Sequence, residues 1–127
     1  NQFGIATSRP EAQLHVKKQG SHPGNAKIDG HIQAGVHTIS GPGAIDLDTT
    51  ITEITTTGAD AFTLANGVLG QIKIIVMTVD GGDATITPTT FSNGTSITLD
   101  DVNDNITMIY GANGWVVTAL QGATVNV

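Results

Sequence analysis

The sequence predicts an all-β protein. We expect an antiparallel β-sandwich, or a jelly-roll-like module, with an extended N-terminal arm and a trimeric assembly. Three observations carry the fold class. Thr, Gly, Ile and Val dominate the 127 residues, while Leu, Lys, Glu and Arg are scarce; β-branched side chains favour extended backbone. Short apolar runs alternate with turn signals through residues 58–120, among them Asn66-Gly67, Asn93-Gly94, Asn113-Gly114 and Asp80-Gly81-Gly82-Asp83. Asn-Gly adopts positive φ cheaply, which tight hairpins need. The run at 71–79, Gln-Ile-Lys-Ile-Ile-Val-Met-Thr-Val, is apolar on both faces, so it reads as a strand covered on both sides. It is too short for a membrane span and carries Lys73.

Length allows one domain with a modest core. We divide the chain into an arm, 1–24, and a sandwich, 25–127. The chain contains no Cys, which excludes a disulfide framework and thiol chemistry. No signal peptide or lipidation signal is visible. The chain opens on Asn1, so it reads as Met-trimmed, or as a processed or excised piece. Charged residues make up only 13%, about half the usual share. Thr, Ser, Asn and Gly must therefore form much of the surface.

The net charge of −6 is unevenly placed. Arg9, Lys17, Lys18 and Lys27 stand against Glu11 alone, giving +3 for the first 27 residues. Beyond them Lys73 stands against ten acids, giving −9. Such a body repels nucleic acid. A basic arm on an acidic body suggests docking on another copy or on an acidic partner.

In the arm, Gly4, Pro10, Gly20, Pro23 and Gly24 leave no room for a full helix. Residues 12–16 alternate as a short strand. A helical turn over 10–18, capped by Ser8 with Pro10 at the first position, is the less favoured alternative. Strands are next expected at 26–29 and 36–39, broken by Gly30 and Gly35. Ser40-Gly41-Pro42-Gly43 is a loop. Further strands fall at 44–47, 51–56, 61–65 and 71–79. Pro88 lacks an N–H and ends the strand at 84–87. Strands at 95–99 and 105–110 follow, and Trp115 opens the last, across the Asn113-Gly114 turn. The expected core comprises Phe62, Leu64, Ile72, Ile74, Val76, Ile97, Leu99, Ile106, Met108 and Val117.

Two stretches resemble known proteins. Gly4-Ile5-Ala6-Thr7-Ser8-Arg9-Pro10-Glu11-Ala12-Gln13-Leu14-His15-Val16 is similar to a motif of phage tail fibres and related virion proteins, departing from it at Ala6 and Gln13. There the segment is a joint in a trimeric shaft. Residues 58–120 resemble a C-terminal module of phage and marine-virus structural proteins. That likeness rests on the opening from Thr63 to Lys73 (Thr63-Leu64, Asn66-Gly67, then Gly70-Gln71-Ile72-Lys73), Asp80-Gly81-Gly82-Asp83, Asn93-Gly94-Thr95-Ser96-Ile97-Thr98-Leu99 and Gly114-Trp115-Val116-Val117. The resemblance implies a β-rich, trimeric module on the exterior of a virion. Its partners would be copies of itself and the major capsid or other virion proteins. A capsid decoration or head-fibre subunit is the leading expectation, with the terminal domain of a tail fibre as the alternative. The arm residues expected to make assembly contacts are Phe3, Ile5, Arg9, Leu14, Val16, Lys17 and Lys18.

Other chemistry has weak support. His15, His22, His31 and His37 lack ligand spacing and companions, so we expect no metal. Asp100-Asp101-Val102-Asn103-Asp104-Asn105 looks like a calcium loop, but an EF-hand would need Gly at Ile106 and Glu at Ala112. It reads as a turn, with Asp101, Asn103 and Asp104 as the donors of any other calcium site. Without Cys, a Gly-x-Ser-x-Gly elbow, a Walker loop or paired catalytic carboxylates, neither enzyme activity nor a cofactor is expected. Tyr110 and Trp115 form either a sugar-stacking platform for a host surface glycan or, as large hairpin rings more commonly do, part of the core.

Overall fold

A computed structural model describes residues 3–5 (backbone only), 14–16, 20–21 and 26–127. The chain forms two compact units, 1–33 and 34–127. The first contains a two-stranded parallel sheet of β1 (Phe3–Ile5) and β2 (Leu14–Val16), with Phe3 opposite Leu14. Residues 26–35 form no strand. The strand expected at 26–29 is therefore absent. Its residues are all exposed, so they have no face to bury.

The second unit is a β-sandwich without a helix. Its strands are β3 (Val36–Ser40), β4 (Gly43–Ile45), β5 (Ile51–Thr55), β6 (Asp60–Leu64), β7 (Ile72–Val79), β8 (Ala84–Pro88), β9 (Ser96–Leu99), β10 (Asn105–Gly111), β11 (Gly114–Gln121) and β12 (Thr124–Asn126). One sheet has the order β11-β10-β7-β5-β3, and the other β12-β9-β8-β6-β4.

The sheets are mixed, where the sequence suggested antiparallel ones. From β3 to β8 each strand is followed by one in the opposite sheet, and same-sheet neighbours pair in parallel. Parallel neighbours need a crossover; here the crossover is a strand of the other sheet. The result is a flattened coil of three turns. From β8 onward the pairs are antiparallel, and they close the coil.

The turn signals mark real turns, but not all are hairpins. Asn66-Gly67 and Asp80-Gly81-Gly82-Asp83 are arches between sheets. Asn93-Gly94 lies in the longer β8–β9 loop, and Asn113-Gly114 makes the β10–β11 hairpin. Gly114 has φ +99°, whereas Gly67 is required by close approach: a Cβ there would lie 2.9 Å from the Trp115 ring.

The core is a single layer between the sheets. Ile54, Phe62, Leu64, Ile75, Met77, Ile86, Ile97, Leu99, Ile106, Met108 and Trp115 are fully buried. Phe62, Leu64, Ile97, Leu99, Ile106 and Met108 were expected there. In β7 the parity is reversed. Lys73, Ile75 and Met77 point inward, while Ile72 is 48% exposed and Ile74 and Val76 are half-buried on the outer face. Val117 is also half-buried. A strand apolar on both faces does not reveal which face is inner; a buried lysine disguises it further.

Ile75→Ala should therefore lower the unfolding free energy by about 2–5 kcal/mol, the usual range for large-to-small core changes. Ile74→Ala should lower it by less than half as much. Urea unfolding of both variants checks this; equal losses would contradict the assigned parity.

Candidate functional site

Two features stand out on the sandwich: a buried ion pair at the link between β4 and β5, and the outer face of the β3-containing sheet. Both arise from β7.

Lys73 is fully buried. Its ammonium donates to the Thr49 carbonyl at 2.7 Å and to Asp46 Oδ1 at 3.1 Å. Thr49 Oγ1 donates to the same Asp46 oxygen at 2.7 Å. Gln71 Nε2 donates to the Leu47 carbonyl at 2.8 Å. The link between β4 and β5 is thus held by side chains from the start of β7. Charge-assisted bonds are the strong kind, and a buried ammonium requires them. Burial pushes the Asp46 carboxyl up, but the bonds from Thr49 and Lys73 and the charges of Lys73 and His37 outweigh it. The net result lies below its ordinary 3.8.

His37 joins this group from β3. Its Nδ1 lies 3.9 Å from Asp46 Oδ1. His37 Nδ1 and Thr52 Oγ1 are buried without a hydrogen-bond partner in the structure, and the two residues are register partners on β3 and β5. Sequence reading missed this cluster. Its only signal was the lone Lys73 within an apolar strand.

The outer face of the β3 sheet carries aliphatic side chains set among threonines. Val36, Ile51 and Ile74 form one rank across β3, β5 and β7. Ile72, Ile109 and Val116 form another across β7, β10 and β11. Thr38, Glu53, Val76 and Asn105 lie in a third, and Glu53 is the one charged residue among the three ranks. Val36 is 52% exposed. The outer face of the other sheet differs. Its ranks are Ala44-Thr63-Thr87, Ala61-Thr85-Thr98-Thr124 and Ser96-Asn126, without a charge or a large apolar side chain. Hydroxyl-bearing strands stay hydrated; aliphatic ones gain about 25 cal/mol for each Å² covered.

Among the sequence-derived candidates, Trp115 is fully buried and donates from Nε1 to the Ala65 carbonyl at 2.9 Å. Tyr110 packs edge-on against it, with centroids 5.2 Å apart. A ring inside the sandwich cannot stack on a sugar, so the glycan platform is not formed. Leu14 is exposed, and Val16 is half-buried. Arg9, Lys17 and Lys18 lie outside the described residues, as does His22; Phe3 and Ile5 are described in backbone alone.

The Asp100 loop is a turn. Asp104 is buried, and its Oδ2 accepts the N–H groups of Asp100 and Asp101. A hydrogen bond with the Asp104 side chain, then burial and the charges of Asp104 and Asp101, raise the Asp100 carboxyl. Among the described residues no three His, Asp or Glu side chains converge for a metal, and no ligand-sized pocket opens. The described residues contain no helix long and apolar enough to cross a membrane.

Compared with known proteins, the chain matches no family model and no curated protein.

The ion pair sets a pH dependence. Asp46 is lowered on folding, so its contribution is complete above the ordinary carboxylate range and is lost as pH falls through its folded value. Asp46→Ala should cost about 3 kcal/mol, since Lys73 stays buried with less compensation. Lys73→Met should remain within about 1.5 kcal/mol of the parent protein, because the partly exposed Asp46 can hydrate. It should also unfold less steeply in acid. Urea titrations from neutral pH to below 3.8 test the pair; a larger loss in Lys73→Met than in Asp46→Ala would contradict this account.

Proposed function

We propose that this protein is a structural component of a bacteriophage virion: a trimeric capsid decoration or head-fibre subunit on the particle exterior. It associates with copies of itself and with the major capsid or other virion proteins, and docks through its N-terminal arm. The observation that carries the reading is the aliphatic outer face of the β3 sheet. A five-stranded face is roughly 20 Å in each direction from strand spacing and rise. That is the scale of a modest protein contact, and its aliphatic ranks favour self-association. The virion setting comes from the resemblance of residues 4–16 and 58–120.

The arm supports the same reading. A two-stranded sheet is marginal by itself, so β1 and β2 need something to pack on. Exposed ion pairs contribute only about 0–1 kcal/mol each. Strand pairing and apolar contact must therefore dominate docking over the arm's charge.

Sedimentation equilibrium at micromolar concentration should give a trimer, and Ile72→Lys with Val116→Glu should shift it to monomer while circular dichroism stays β-rich. Deleting residues 1–20 should leave the sandwich folded but weaken assembly or attachment to stripped particles. Salt should weaken attachment only modestly. A monomeric parent protein, or a truncated protein that assembles and attaches equally well, would count against the reading. The 4–16 motif favours a second reading, the terminal domain of a tail fibre. Copy number in intact virions separates a decoration subunit, at hundreds of copies, from a fibre or tail component, at a few to a few tens.

A further inference from the structure

The sandwich holds three identical Asn-Gly pairs, Asn66-Gly67, Asn93-Gly94 and Asn113-Gly114. Such a pair does more than mark a turn. Glycine has no side chain to block approach to its main-chain nitrogen, so that nitrogen can reach the carboxamide carbon of the asparagine before it. Attack needs two freedoms. The carboxamide must swing onto the next N–H, and that N–H must be available. The fold grants these unequally.

Asn93 lacks the first freedom. Its Oδ1 accepts the Val117 N–H at 2.8 Å, which holds the carboxamide against β11. Asn113-Gly114 lacks the second. Trp115 N–H donates to the Thr90 carbonyl, and the Trp115 carbonyl accepts the Ser92 N–H. Both main-chain groups of Trp115 therefore turn away from β10. Bonded and non-bonded pairs alternate along an antiparallel ladder. The adjoining pair, Gly111 with Gly114, is thus a bonded one, and the Gly114 N–H is occupied by the Gly111 carbonyl.

Asn66-Gly67 is under neither restraint. It lies in the arch between β6 and β7, with Asn66 exposed. Among the described residues, neither the Asn66 carboxamide nor the Gly67 N–H has a hydrogen-bond partner. The anchors stand on either side: the Ala65 carbonyl accepts Trp115 Nε1–H at 2.9 Å, and Val68 N–H donates to Gln71 Oε1 at 3.1 Å.

We propose that Asn66 is a site of spontaneous covalent modification, a deamidation carried out by the Gly67 nitrogen. That nitrogen gives its proton to solvent base and bonds to Asn66 Cγ. The Cγ–Nδ2 bond breaks, ammonia leaves, and a cyclic succinimide closes. Water then opens the ring. Cleavage at Cγ leaves aspartate. Cleavage at the main-chain carbonyl carbon leaves isoaspartate, with the chain running through Cβ. No atom is oxidised or reduced. The isoaspartate product lengthens the main chain by one methylene between the two anchors. It does so beside a glycine whose added Cβ would already lie 2.9 Å from the Trp115 ring. The lengthened arch loses part of its packing on Trp115, whereas aspartate only adds charge at an exposed position.

The test uses the full chain at mildly alkaline pH, folded and in urea, with peptide mapping by mass spectrometry over days. Unfolded, the three pairs should react at similar rates, because each is Asn followed by Gly. Folded, Asn66 should react about tenfold faster than Asn93 or Asn113, the rate equivalent of one hydrogen bond that must break first. Asn66→Gln should remove the main product and leave the slow reaction at the other two pairs unchanged. Chains carrying isoaspartate at position 66, separated by chromatography, should unfold at lower urea than the parent protein. Equal folded rates at the three pairs, or Asn93 or Asn113 ahead of Asn66, would overturn the assignment. An unchanged urea midpoint would overturn the effect on Trp115 packing.

Discussion

The second unit depends on one constraint: consecutive strands from β3 to β8 must bury their inward side chains against the opposite sheet. Phe62 and Leu64 on β6 meet a layer built by Ile54, Ile75 and Met77 on β5 and β7. Each turn of two crossings advances the chain by one strand in each sheet. Parallel pairing follows directly, because every second strand runs the same way. The antiparallel strands then supply Ile97, Leu99, Ile106, Met108 and Trp115, which close the remaining apolar surface. Trp115 is the largest of these, and its N–H is satisfied by the Ala65 carbonyl of an arch between sheets. The cap and the coil are therefore tied by packing and by a hydrogen bond.

Most of this order was legible. Strand alternation placed Phe62, Leu64, Ile97, Leu99, Ile106 and Met108 in the core, because each alternates with Thr, Ser or Asn. The hairpin of Tyr110 and Trp115 was legible from Asn113-Gly114. The mixed topology was not. An arch between sheets and a hairpin both need a short polar turn with glycine, and composition cannot say whether the next strand returns beside its predecessor or crosses above it. The direction of β7 was hidden for a related reason. Ile72, Ile74 and Val76 are as apolar as Ile75 and Met77, and the deciding residue is Lys73, which a hydropathy pattern assigns to the surface.

That lysine shows what the site asks of the fold. A buried ammonium is tolerated because Asp46, Thr49 and a backbone carbonyl converge on it. All three lie in or beside the short link between β4 and β5. A bundle of polar bonds holds an irregular segment where few apolar contacts are possible. The cost remains visible at His37 Nδ1 and Thr52 Oγ1, which lack partners although buried. Neither could be found from spacing, since His37, Asp46, Thr49, Thr52 and Lys73 are spread over four segments and are assembled only by the coil.

The two outer faces differ in what they ask of their surroundings. Threonine ranks on one sheet keep that face hydrated without charge, so it has no need of a partner. Aliphatic ranks on the other gain from being covered, and a monomer offering such a face necessarily offers it to its copies. A ring of three copies needs a heterologous contact, and heterologous contacts close only when the rotation between subunits permits. In the proposed assembly, the packing of one aliphatic face on its neighbour would set that rotation.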